Sequence, residues 1–461
     1  MDKSTMDRRA FLNTLGVTVG GAGLAGGSLV GGSTIAQAAQ EPVRGSIPET
    51  PYKTGHVTFF SGPFSFIGAP TLKGHTLAAE EINAQGGLLG KRKIETVTAD
   101  EGIGSDAVIK EMRRMKADEK IGVFTGISSS GNTPLLGPVA EELKLLTLFS
   151  DGCTDLLFDR AVTKPKYVFR VSNIQSADAL TLAVGVAQTW PNVRKIAHLH
   201  QDYNYGRLSF EFFNTAIERL LAGVEIVSEN WPKFGTTDFN DHIQRIIAAK
   251  PDILVSSVLG GDYVAFYKQA LSHGLYDKMK FANSMAFASY PHAIGKDHPE
   301  GVLVGVHSNY HFTYPHGDRW PANKSFVERY YKRWNEYPSF QAEASYDALY
   351  LLKSAIERAN SQYGGWPDDE AIISQLEGIG IEAPSGYLYM RPDHQGYKDT
   401  IIGFSKNNPE YPFQTLDLDR MIKVPIRDIT APMGWPKPGT THNESTAAVD
   451  WIKKTWPKLV G

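Results

Sequence analysis

Between Gly55 and Asn360 short β-branched or apolar runs alternate with amphipathic stretches, a pattern that restricts the chain to βαβ units built on parallel sheets. His56 to Phe60 reads as a strand. Thr71 to Ala84 reads as a helix stopped by Gln85-Gly86-Gly87, and Lys93 to Ala99 as the next strand. Val108, Met112 and Met115 share one helix face ahead of a strand at Ile121 to Thr125. A helix from Pro134 to Lys144 then leads to Leu145 to Phe149, an apolar run suited to a parallel strand covered on both faces.

A second series begins near Ser172. Its strands are expected at Lys195 to His200, Glu225 to Ser228, Ile253 to Val258, Lys280 to Asn283 and Val302 to Val306. Between them lie helices at Ser176 to Thr189, around Phe210 to Leu220, and at Phe239 to Ala249 and Asp262 to His273. The fold class is therefore α/β with two Rossmann-like lobes, which agrees with a length of 461 residues, more than one core can serve. Helices at Asn323 to Asn335 and Phe340 to Asn360 finish the first sheet. Beyond Pro384 the pattern weakens into short strands and a proline-rich tail with Pro432, Pro436 and Pro438.

Charge and cysteine content remove several function classes. Lys plus Arg total 47 against 50 for Asp plus Glu, which leaves none of the basic excess that a nucleic-acid partner demands. Cys153 is the single cysteine, so intramolecular disulfides and multi-cysteine metal sites are excluded. Gly21 to Gly26 fits G-x-G-x-x-G without a preceding strand, and His198 and His200 share a strand face without a third ligand at motif spacing. No catalytic constellation is present, and no cofactor or metal is expected.

The N-terminus, Ser4-Thr5-Met6-Asp7-Arg8-Arg9-Ala10-Phe11-Leu12 followed by a Gly/Ala/Val stretch to Ile35, resembles a twin-arginine export signal. Ala36-Gln37-Ala38 supplies the small residues of a cleavage site. The mature chain is then expected to begin near Ala39, in the periplasm. No other run approaches the 18 apolar residues of a membrane span.

Ser61-Gly62-Pro63, Gly74, and Ala79-Glu80-Glu81-Ile82-Asn83-Ala84-Gln85-Gly86-Gly87 resemble the opening of type I periplasmic solute-binding proteins. Ser128-Ser129-Ser130 with Pro134, Phe169-Arg170-Val171, Tyr205-Gly206, Thr236-Thr237-Asp238-Phe239 and Pro251-Asp252 follow in the order of the leucine/isoleucine/valine-binding branch. The resemblance implies a hinge crossed three times, near Ser172, Ser308 and Pro384. Lobe 1 would comprise 53–171 and 309–383, lobe 2 would comprise 172–308 and 384–430, and a tail 431–461 would follow the signal peptide (1–38) and the two lobes. It also implies a non-enzymatic subunit of an ABC importer that captures a branched-chain-type amino acid, or a related small amide or carboxylate, for an inner-membrane permease. A ligand-sensing module for a signalling receptor, or a binder of an aromatic acid, urea or amide, would share the same pattern.

Ligands of open α/β sheets bind beyond the carboxyl ends of strands, where helix N-termini offer unpaired N–H groups. The turn Gly126 to Pro134 is such a place, with Ser129 or Ser130 facing the ligand. The resemblance adds Gly152, Cys153 and Thr154 from the next loop and Tyr205 from the other lobe, and Phe66 is a candidate apolar wall. Where amino-acid binders of the family carry a carboxylate for the α-ammonium, this chain reads Asn283-Ser284-Met285-Ala286-Phe287. Either Asp202 or Asp262 supplies that charge, or the ligand has no ammonium group.

Overall fold

The computed structural model describes residues 45–62, 64–288, 291–436 and 443–456, so the export signal expected at 1–38 lies outside the described residues. The first lobe is a five-stranded sheet, ordered β2-β1-β3-β4-β5. Its strands are β1 (Tyr52–Thr58), β2 (Ile94–Asp100), β3 (Val123–Gly126), β4 (Thr147–Phe149) and β5 (Val168–Arg170). All pair in parallel.

The second lobe repeats the arrangement with β6 (Lys195–Leu199), β7 (Glu225–Asn230), β8 (Ile253–Ser256), β9 (Lys280–Asn283) and β10 (Leu303–Gly305) in the order β7-β6-β8-β9-β10. Each sheet therefore reverses its strand order beside its first strand. That reversal opens a crevice at the strand ends, between the loops that follow the first and third strands.

Helix and strand bounds follow local chemistry. The first helix spans Ser65–Ala84, one and a half turns longer at its start than its sequence pattern indicates, because Gly68 and Pro70 interrupt the apolar period without breaking the helix. Gly87 N–H bonds the Ile82 carbonyl at 2.9 Å to close its C-terminus. Gly74 lets this helix approach the Phe340–Tyr363 helix, since a Cβ there would sit 1.9 Å from the Ala342 carbonyl oxygen.

The chain leaves the first lobe for the last time later than Pro384. Strands β11 (Gly380–Ala383), β12 (Gly386–Met390) and β13 (Gly396–Tyr397) form a small antiparallel sheet. Leu388 and Met390 alternate inward from β12 into the core that also holds Leu349 and Ile379, which keeps the segment with the first lobe. The passage falls between β13 and β14 (Thr400–Asn407). There Asn173 Nδ2 donates to the Lys398 carbonyl and Asn173 Oδ1 accepts from Lys398 N–H, both at 3.1 Å.

Strand β14 pairs antiparallel with β10, and β15 (Gln414–Leu416) and β16 (Ile422–Val424) complete the second sheet. The segment set aside as a tail contains a helix, Ala447–Lys454, capped where the Thr446 hydroxyl accepts from Val449 N–H at 3.2 Å. Its Val449, Trp451 and Ile452 join the second-lobe core with Phe212 and Ala216. No helix among the described residues is long and apolar enough to cross a membrane.

Candidate functional site

The strand-end loops of both lobes converge on one cavity. Phe64 and Ile67 follow β1, Ser128, Ser129 and Ser130 follow β3, and Asp151 and Cys153 follow β4. From the second lobe come Tyr203 and Tyr205 after β6, Leu259 after β8 and Met285 after β9. The enclosed space is about 30 Å³, room for a single water and far below the size of a ligand pocket. In this conformation the cleft has no room for an organic guest. A roomier hollow of about 660 Å³ beside Glu357 and Arg358 is formed by one helix and β11, with no second lobe facing it.

Aromatic rings close the mouth. Phe64 stacks on Phe234 with centroids 3.6 Å apart, and Tyr203 meets Phe234 edge-on at 5.6 Å. Phe66 does not reach the cavity: it packs over Gly260, whose φ of +65° and lack of Cβ admit the ring.

The serine-rich turn is held by a group that lies elsewhere in the sequence. Glu101, 1% exposed, accepts from Ser128 N–H, Ser129 N–H and Asn132 Nδ2, each at 2.9 Å. The amides expected to await a ligand carboxylate are thus occupied by the protein's own. What the turn offers the cavity is hydroxyl chemistry. The Ser129 hydroxyl oxygen accepts from Gly131 N–H at 3.1 Å, and the Ser130 hydroxyl lies 4.0 Å from Cys153 Sγ.

Burial pushes the Glu101 carboxyl up to about 7 against the pull of its three donors. Between about pH 4.5 and 7 the folded chain therefore holds a proton that the unfolded chain has released. Glu101 contributes most stability below this window and loses roughly 3 kcal/mol as pH rises through it. Glu101→Gln is expected to flatten the fall in urea midpoint between pH 5 and 7.5. An unchanged pH slope would show that the carboxyl is not titrating there.

The second loop lies beside the first, with Thr133 Oγ1 donating to the Gly152 carbonyl at 2.9 Å. Gly152 and Thr154 do not line the cavity. Thr154 caps the following turn, its hydroxyl accepting from Leu156 N–H at 3.4 Å, and its carbonyl accepts from the buried Arg170 guanidinium at 2.5 Å. Asp151 does line it, with Oδ1 accepting from Gly152 N–H at 2.7 Å. Desolvation raises the Asp151 carboxyl to about 7.

The two carboxylates offered from the second lobe both lie away from the cavity. Asp202 pairs at 2.7 Å with Arg207 on the surface, and Asp262 accepts from Gln201 Nε2 at 2.6 Å and Gly235 N–H at 2.8 Å. Tyr205 is at the site. Its hydroxyl donates at 3.2 Å to Asp178, which also binds His307 Nδ1 at 2.5 Å. Burial disfavours the charged imidazole of His307, but Asp178 and then Asp151 outweigh it and hold the group above its usual range. His307 and Ser308 sit at φ +56° and +57°, unusual for residues with a Cβ, at the chain's second passage between the lobes. Glu101 was missed in the sequence, and His307 stands there with His311 and His316 in one loop without a recognisable ligand pattern, although both follow strand ends of the kind that exposed the serine turn.

Two doubly wound lobes that present strand-end loops to one shared crevice define a two-lobed receptor for small molecules. The sequence matches the family model for periplasmic binding proteins over residues 51–406, and the chain belongs to that family. Membership makes the chain a periplasmic binding protein. Leu/Ile/Val-binding protein homolog 7 of Brucella melitensis is 26% identical over 347 residues, spanning 72% of this chain and 82% of the relative.

Solved structures carry the same fold. An ABC transporter solute-binding protein from Rhodopseudomonas palustris in complex with 3,4-dihydroxybenzoic acid superposes with a TM-score of 0.69 at 22% identity, covering 82% of this chain and 98% of that one. An amino acid ABC transporter substrate-binding protein from Pseudomonas fluorescens gives 0.70 at 18% identity, covering 81% and 96%.

Proposed function

We propose that the protein captures a small amino-acid-like solute in the periplasm and presents it, lobes closed, to an ABC permease in the inner membrane. The observation that carries this reading is the pairing, in one cavity, of a buried carboxylate with hydroxyls and an aromatic wall. Asp151 takes the part of counter-charge to an ammonium group, Ser129 and Ser130 bond polar atoms, and Tyr203, Tyr205 and Phe340 enclose an apolar side chain. A ligand that prefers the closed form shifts the lobes toward it.

The test is a thermal-shift panel of amino acids, amides and aromatic acids on protein recovered from the periplasm, with an intact mass expected to start at Ala39. A binder at 100 times its dissociation constant stabilises by about 2.7 kcal/mol, a shift of a few degrees. A panel with no shift among amino acids sinks the reading. An aromatic acid is the second reading, favoured by the ring-lined mouth and by Rhodopseudomonas palustris relatives solved with 3,4-dihydroxybenzoic and p-hydroxybenzoic acids.

A further inference from the structure

We infer that the closed cleft contains a transition-metal site, with the Cys153 thiolate, the Asp151 carboxylate and the His307 imidazole as ligands and zinc or a similar borderline ion as the occupant. One donor atom from each of these buried residues lies within 4.8 Å of the other two. Cys153 and Asp151 come from the loop after β4 of the first lobe, and His307 follows β10 of the second. An ion held by all three therefore ties the lobes together.

The orientation of His307 is the independent observation. Its Nδ1 is engaged by Asp178 at 2.5 Å, and Asp178 is steadied in turn by the Tyr205 hydroxyl at 3.2 Å. Nε2 is buried with no hydrogen-bond partner among the described residues, in a side chain 1% exposed. A carboxylate on one imidazole nitrogen with the other left bare is the outer-shell arrangement of metal-binding histidines, where it fixes the tautomer and raises ligand basicity.

A mixed thiolate, imidazole and carboxylate set suits zinc better than magnesium or calcium, which favour all-oxygen cages. Three protein ligands leave the fourth tetrahedral position to a water, and the adjoining cavity of about 30 Å³ has room for one. Zinc bonds of about 2.0–2.3 Å place donors ~3.5 Å apart, so the three side chains must draw in by about an ångström. On binding, the Cys153 S–H bond and any N–H bond at His307 Nε2 break, sulfur and nitrogen bond the ion, and the displaced protons leave to solvent.

The inference rests on the cleft proposed above and shares Asp151 with that reading, so the ion and an ammonium guest compete for one carboxylate. The test takes tag-free, chelator-stripped protein and adds Zn²⁺ or Co²⁺ alone. One equivalent of tightly held zinc by elemental analysis is expected, together with the near-ultraviolet thiolate-to-cobalt band of the Co²⁺ form. Cys153→Ser should abolish that band and weaken zinc binding at least 100-fold in calorimetry. Asp178→Asn, which touches no metal, should weaken it about 10- to 100-fold. Circular dichroism checks that both variants are folded. Folded wild-type protein that takes up no stoichiometric zinc overturns the inference, as does uptake undiminished in Cys153→Ser. The guest panel, run in parallel on metal-free protein, separates failure here from failure of the solute-binding reading.

Discussion

Lys398→Met is expected to destabilise the fold by about 3–5 kcal/mol, the largest stability effect of any single substitution considered for this chain. Lys398 Nζ bonds both Glu343 carboxylate oxygens at 2.7 and 2.8 Å and Asp347 Oδ2 at 2.9 Å, and all three side chains are 1% exposed. Methionine keeps the volume of the lysine stem and removes the ammonium, with its charge and its three hydrogen bonds. Two desolvated carboxylates then share one site, and at least one must take a proton. Burial followed by Glu343 already pushes Asp347 well above the carboxylate range, and Lys398 is what holds Glu343 below it against its own desolvation.

The loss should appear as a lower urea midpoint at unchanged slope. Adding Glu343→Gln and Asp347→Asn to Lys398→Met should restore most of it, because a neutral triad leaves no uncompensated charge. A Lys398→Met protein within 1 kcal/mol of the parent would show that water reaches the triad. The position gives the triad a second consequence. Lys398 lies on the last passage between the lobes, paired through its backbone with Asn173 on the first, so the triad anchors the hinge to the Phe340–Tyr363 helix.

That triad also marks where reading the sequence stops. The two lobes were legible because most strands of the doubly wound sheets are short β-branched or apolar runs and most helices between them show an apolar face, patterns confined to ten or so neighbouring residues. The serine turn was legible because it follows a strand and precedes a proline at a helix start. Its partner was not. Glu101 meets Ser128 and Ser129 only after β1 and β3 have brought the end of β2 alongside, and nothing local to Glu101 signals that it will be buried.

Asp202 and Asp262 failed as candidates for a complementary reason. Each is satisfied by near neighbours in space, Arg207 for one and Gln201 with Gly235 for the other, and a sequence motif carries no record of which carboxylates are already paired. The Ala447–Lys454 helix was hidden differently: two turns flanked by prolines carry too little periodicity, and its stability comes from Trp451 and Ile452 reaching a core built far upstream.

Asp151→Asn is the substitution expected to separate the two ligand readings most sharply. For a guest with an α-ammonium group, removing the buried counter-charge should cost 100-fold or more in affinity, on the order of 3 kcal/mol, because the cation would enter the closed cleft unpaired. For an aromatic acid the same change removes a like charge from the neighbourhood of the guest. Affinity should then hold within about threefold or improve.

The fold should tolerate the replacement, since asparagine retains the oxygen that accepts from Gly152 N–H at 2.7 Å and sheds a carboxyl that burial already pushes up to about 7. Calorimetric titration of parent and variant with the best amino acid and the best aromatic acid from the panel gives the comparison. Equal losses for both guests would mean that Asp151 shapes the cavity without pairing with charge. No loss for the amino acid would remove Asp151 as the counter-charge, and with it the feature of the cavity that favours an amino acid over a simple acid.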